Sequence, residues 1–137
     1  MRHLEAGPVR DRHGELHLVL PGELHGHQLL GEVLLRRGSL AAAEAELRVA
    51  LDMALGLAGA DSWRTARSEA SLGWLLIQRE KAAEGEPMLA AARSKLLATV
   101  GPQHPATQQA TARLAEYYRE HHRDADAARV LAAPDKR

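Results

Sequence analysis

One pattern repeats three times along this chain at a constant spacing of 42 residues. A leucine followed by a small residue occurs at Leu30, Leu72 and Leu114. The same offset relates two further sets of residues, which are Ala43, Gly85 and Ala127, and Leu47, Leu89 and Leu131. Because the three copies align without an insertion, we expect three similar structural units stacked on one another.

Apolar residues within each copy follow helical spacing, with two such segments per copy. Gly38, Gly59 and Gly101 suit the ends of helices, since glycine adopts the left-handed conformation without strain. His104 precedes Pro105 and is expected at the start of a helix. The sequence therefore predicts six helices, over about 22–37, 39–58, 62–79, 82–100, 105–121 and 124–133, with the last one cut short by a proline.

The repeat resembles a known family. Small residues at the repeated positions 31, 73 and 115 are similar to the close-packing positions of a tetratricopeptide repeat (TPR) helix pair. The long period, the segment Glu84-Gly-Glu-Pro-Met-Leu89 and the turn Gly101-Pro-Gln-His-Pro-Ala-Thr107 resemble the kinesin-light-chain type, which is common in bacterial regulatory proteins. The resemblance implies an all-α, right-handed superhelical stack of about three antiparallel helix pairs over residues 24–133. The repeats would be about 24–65, 66–107 and 108–133, followed by a tail at 134–137.

The resemblance also implies a groove that binds a peptide or a segment of a partner protein, lined by the first helix of each pair. Trp74 is expected to be an accessible anchor there, because exposed tryptophans dominate many interfaces; the alternative is that it packs between neighbouring helices. The paired asparagines that the family often carries are replaced here by Gln28-Leu29, Ala70-Ser71 and Ala112-Arg113. By family position the groove candidates are Gln28, Glu32, Leu35, Arg36, Arg67, Trp74, Ile77, Gln78, Gln109, Glu116, Arg119 and Glu120.

Residues 1–23 do not share the helical pattern. Gly7-Pro8, Gly14 and Pro21-Gly22 interrupt any helix. Alternating leucines over 16–20 have the period of a strand, but no pairing partner is evident. We therefore expect an irregular or extended N-terminal arm.

Composition narrows the function classes. Lysine plus arginine equals aspartate plus glutamate at 18 each, so neither nucleic acid nor an anionic membrane surface is an expected partner. Phenylalanine and cysteine are absent, so the core is expected to consist of leucine, alanine and valine, without disulfides. No signal-peptide core or catalytic motif is recognisable. These features predict a cytoplasmic, non-catalytic protein that needs no cofactor.

The histidines suggest an alternative function. His13, His17, His25 and His27 crowd the N-terminal segment and are candidates for weak metal binding. Zinc requires three or four ligands in one shell. The order His13-Gly-Glu-Leu-His17 differs from the metalloprotease motif, in which glutamate directly follows the first histidine.

The short last helix suggests another alternative. Three repeats are about the minimum for a stable stack, and the third is incomplete here. Val130 and Leu131 would be partly exposed unless another molecule covered them, and exposed apolar ends are common interaction sites. The chain is thus also a candidate for homodimerisation through its C-terminal repeat.

Overall fold

The computed structural model describes residues 4–11 and 13–132. Six α-helices make up most of this part of the chain, so the helical fold class is confirmed, with a small two-stranded sheet in addition. The predicted tail at 134–137 lies outside the described residues. The elements are β1 (Gly7–Arg10), β2 (Leu16–Val19), α1 (Pro21–Arg36), α2 (Leu40–Ala58), α3 (Trp63–Gln78), α4 (Ala82–Thr99), α5 (Pro105–Glu120) and α6 (Asp124–Leu131).

Consecutive helices associate in pairs. Helix α1 contacts α2, α3 contacts α4, and α5 contacts α6, while contacts of α2 with α3 and of α4 with α5 join the pairs. Helix α3 also touches α1 and α5. The first helices of the three pairs therefore lie side by side, and we call the surface they form the first-helix face. None of the described helices is both long and apolar enough to cross a bilayer.

Small residues let the two helices of a pair approach closely. A Cβ atom on Gly85 would lie 2.5 Å from the carbonyl oxygen of Gly73, and one on Gly73 would lie 2.9 Å from the backbone nitrogen of Leu89. In the first pair, a Cβ atom on Gly31 would lie 2.6 Å from a methyl carbon of Leu47. These distances are well below van der Waals contact, so the small residues of the repeat occupy close-packing positions, as the sequence predicted.

Helix boundaries follow local capping chemistry. The backbone N–H of Ala106 donates to the Nδ1 atom of His104 at 3.1 Å, which confirms His104 as a helix-start residue. At the start of α3, the N–H of Arg64 donates to the Ser62 hydroxyl oxygen at 3.1 Å. Gly101 has φ of 85°, in the left-handed region expected for a residue that ends a helix. These caps set where α3 and α5 begin and α4 ends.

The core consists mainly of leucine and alanine, as the absence of phenylalanine required. Close packing of these small and branched side chains fills the space between the helix pairs. The largest fully buried apolar side chains are Leu24, Leu47, Leu72, Leu75, Leu76, Leu89, Leu96 and Leu114.

Two antiparallel strands, β1 and β2, form a hairpin near the N-terminus, which corrects the expectation of an irregular or extended arm. Strands β1 and β2 pair in antiparallel register, with Gly7 opposite Val19 and Arg10 opposite Leu16. The hairpin rests on α2, because a Cβ atom on Gly56 would lie 2.7 Å from the methyl groups of Val9. The strand period at residues 16–20 correctly indicated a strand, which is β2. The partner strand β1 was not predicted, because Gly7 and Pro8 at its start are residues that usually interrupt regular secondary structure. Helix α1 begins at residue 21, close to the predicted helix start at about 22 and three residues before the predicted start of the repeat region at 24.

Candidate functional site

A buried network of polar side chains joins α1 to α3. The amide nitrogen of Gln28 donates to the Ser71 hydroxyl oxygen at 3.0 Å, and the Ser68 hydroxyl donates to the Gln28 amide oxygen at 2.9 Å. The same Gln28 nitrogen lies 3.3 Å from a carboxylate oxygen of Glu32. All four side chains are buried, and burying polar groups is tolerated only when they are hydrogen-bonded. The network therefore fixes α1 against α3.

An ion pair extends this network to α5. Arg113 donates to a Glu32 carboxylate oxygen at 2.8 Å, and only 12% and 10% of the two side chains are exposed. The Ser71 hydroxyl donates to the same carboxylate. Burial by itself raises the pKa of Glu32, but the hydrogen bonds and charge of Arg113, with the Ser71 hydrogen bond, outweigh it and hold that pKa below its ordinary value. One ionised carboxylate thus links all three helices of the first-helix face.

Trp74 lies in the core, which corrects the expectation of an accessible anchor. Only 9% of this residue is exposed. The guanidinium of Arg113 lies over the Trp74 ring at 5.9 Å from its centroid. The arginine that neutralises Glu32 therefore also contacts one face of Trp74.

The other groove candidates divide between buried and accessible positions. Gln28, Glu32 and Leu35 are buried, so they support the face from inside rather than line its surface. The remaining candidates are accessible or partly accessible, and one of them, Ile77, packs against Gly85 of α4. They are Arg36, Arg67, Ile77, Gln78, Gln109, Glu116, Arg119 and Glu120.

Three residues of the network were not among the sequence candidates. Ser71 and Arg113 stand 42 residues apart, at the repeat position where the paired asparagines of TPR proteins would fall, and this equivalence could have identified them. Ser68 carries no such signal, since the equivalent position 110 is an alanine in the core.

Two further arginines gather at the N-terminal end of α3. The guanidinium carbons of Arg64 and Arg67 lie 4.9 and 5.3 Å from the centroid of the Trp63 ring. Burial lowers the pKa of Arg67, the positive charge of Arg64 lowers it further, and Glu32 opposes both. The Nε–H of Arg67 is buried and finds no acceptor within the described part of the chain. These residues line a cavity of about 360 Å³ between α1 and α3.

The candidate histidines do not come together in one shell. His27 contacts Glu46 at 2.6 Å, whereas His25 lines the arginine cavity. Over residues 4–11 and 13–132, the one group of three ligand-type side chains close enough for a metal ion is Asp11, Glu15 and His17. It contains only one of the four predicted histidines, so the structure gives the four-histidine hypothesis no support.

The hydrogen bonds of the hairpin account for this acidic group. The Asp11 carboxylate accepts the backbone N–H groups of His13 and Glu15, and it contacts His17 Nε2 at 2.7 Å. The pKa of Asp11 lies below its ordinary value, chiefly because of the hydrogen bond from the Glu15 backbone and then that from His17. Asp11 therefore acts as an organising residue of the β1–β2 turn.

Comparison with known proteins does not assign the chain to a family. No protein-family model matches the sequence, and a search of curated proteins finds no similar one.

Proposed function

We propose that this chain is a non-catalytic protein-interaction module of the TPR type. In this proposal the three helix pairs form a right-handed superhelix, and its first-helix face binds a peptide or an extended segment of a partner protein. The observation that carries the proposal is the buried network that connects α1, α3 and α5 through Gln28, Glu32, Ser71 and Arg113. A surface held rigid before binding loses less conformational entropy when a ligand arrives.

The accessible side chains of this face carry charges of both signs. Arg64 and Arg67 lie near the N-terminal end of α3, and Glu116 and Glu120 lie towards the C-terminal end of α5. Gln109 is partly buried and stands one helical turn before Arg113, so the two share a side of α5. Such a surface suits a ligand with polar and charged side chains. The order of positive and negative side chains along the ligand, rather than its net charge, would determine whether it binds.

Selection from a displayed library of random peptides tests the proposal. The full chain should enrich related sequences, and synthetic copies of them should bind saturably in fluorescence anisotropy. The Gln109→Trp substitution places a bulky side chain on the first-helix face and should greatly weaken this binding. Ser94→Trp adds the same bulk at an exposed position of α4 and should leave binding unchanged. Failure to enrich any sequence, or equal effects of the two substitutions, would contradict the proposal.

Self-association is a second candidate, and one observation favours it. Large exposed apolar side chains concentrate near the N-terminal end, with Leu29, Leu30 and Val33 on α1 being 51%, 46% and 42% exposed. Leu131 in the incomplete C-terminal repeat is 49% exposed. We therefore place a homodimer contact on α1 rather than on the C-terminal repeat expected from the sequence. Light scattering over a concentration series should show a dimer that Leu30→Glu dissociates and Leu131→Glu does not, whereas a monomer throughout would exclude this candidate.

A further inference from the structure

Arg64 and Arg67 hold two positive charges close together on one aromatic surface. Both guanidinium groups lie against the Trp63 ring, and the two residues stand three apart, on the same side of α3. The His104 ring also lies against this indole, with the ring centroids 4.7 Å apart. The arginine side chains are therefore positioned by ring contacts rather than by opposite charges.

Nothing in the described part of the chain neutralises these two charges. Neither Arg64 nor Arg67 forms an ion pair among residues 4–11 and 13–132. Glu32 is close enough to influence Arg67, but Arg113, Ser71 and Gln28 already occupy its carboxylate oxygens. Several other arginines do have carboxylate partners, and these are Arg48, Arg79, Arg113, Arg123 and Arg129.

The Nε–H group of Arg67 is buried and has no hydrogen-bond acceptor among the described residues. A buried donor without an acceptor costs free energy, and more so when it belongs to a charged group. The adjacent positive charge of Arg64 increases this cost. An anion beside the accessible part of the Arg67 guanidinium would offset the unfavourable charge at this position, and perturbed charged groups of this kind are common in binding sites.

A cavity gives an anion access to this pair. Its volume of about 360 Å³ is at the small end of the range for ligand pockets. Pro21 and Leu24 of α1 form an apolar wall, and Arg64 and Arg67 lie on the α3 side. The cavity is large enough for a phosphate group with a small apolar substituent.

We propose that this cavity binds a small molecule carrying a phosphate monoester, held between the guanidinium groups of Arg64 and Arg67. The choice of phosphate follows from charge. A phosphate monoester carries a charge of about −1.5 to −2 at neutral pH, which matches two guanidinium groups, whereas a carboxylate would leave about one positive charge uncompensated. Guanidinium groups also offer paired N–H donors that fit the oxygens of phosphate. This site is independent of peptide binding on the rest of the first-helix face.

Titration of the full chain with inorganic phosphate and with phenyl phosphate, at constant ionic strength, tests the proposal. NMR signals of the arginine Nε–H groups and of the Trp63 indole N–H report the site directly. Both phosphates should shift the Arg64, Arg67 and Trp63 signals saturably. Acetate should bind more weakly than phosphate by about tenfold or more, since its single negative charge balances only one of the two guanidinium groups.

Substitutions then separate this site from general charge attraction. Arg67→Met should abolish the saturable shifts, and Arg119→Met, which removes the same charge from an exposed position of α5, should preserve them. If Arg67→Met does not fold, Arg64→Met tests the same site. Shifts that grow linearly without saturation, acetate binding equal to phosphate binding, or equal losses in the Arg67 and Arg119 variants would each overturn the proposal.

Discussion

Replacing Gly85 with alanine should lower the free energy of unfolding, because α3 and α4 touch at this point. The added Cβ atom would lie 2.5 Å from the carbonyl oxygen of Gly73 and 2.9 Å from the backbone nitrogen of Ile77. Favourable contacts between such atoms require about 3.5 Å. Both neighbours are backbone atoms, so no side-chain rotation relieves the clash. The two helices would have to separate by about 1 Å.

Two effects of opposite sign determine the magnitude. Alanine is favoured over glycine inside a helix by about 1 kcal/mol. Overfilling a packed interior costs about 1–3 kcal/mol and occasionally more, and a clash between two backbones belongs at the upper end of this range. The separation would also weaken the packing of Leu89, which is fully buried beside Gly73. We expect a net loss of about 2 kcal/mol.

Gly26 provides a matched control. It lies within α1, and a Cβ atom there would meet no other atom within 4 Å. Gly26→Ala should therefore stabilise the chain by about 0.5–1 kcal/mol. Urea denaturation followed by circular dichroism should place the two variants on opposite sides of the wild type. If Gly85→Ala proved as stable as the wild type or more stable, the close approach of α3 and α4 would be refuted.

Two further predictions concern the Glu32–Arg113 pair. Arg113→Met should lower the free energy of unfolding by about 3 kcal/mol in urea denaturation, because it leaves a buried carboxylate unpaired. It should also uncover the Trp74 ring and so shift the tryptophan emission spectrum to the red. Arg119→Met, the control, should change neither the stability nor the spectrum. Because the pKa of Glu32 is lowered in the folded chain, its contribution to stability is present above the ordinary value of 4.5 and disappears as the pH falls through the folded pKa. The stability difference between the wild type and Glu32→Gln should therefore be largest near neutral pH and shrink in acid, and a pH-independent difference would contradict the pKa shift.

The sequence predicted the helices well and the polar site poorly. The helix pairs and their contact points could be predicted because glycines and leucines recur every 42 residues. Each copy of the repeat contains the residues that form its own helix pair. The hairpin was missed because strand pairing joins separated segments, and Gly7 and Pro8 weakened the signal of β1. Trp74 was placed on the surface because its helix position alone does not reveal that Arg113, 39 residues later, lies over its ring.

The sequence by itself determined the number of helices, their pairing and the small residues at which they touch. Short-range periodicity and backbone sterics fix these features within each copy of the repeat. Only the tertiary structure decided which polar side chains became buried and which charges remained unpaired. Glu32 meets its partner Arg113 across 81 residues, while Arg64 and Arg67 meet none among the residues described. Burial and charge compensation depend on neighbours from other helices, so they emerge only when the pairs are stacked.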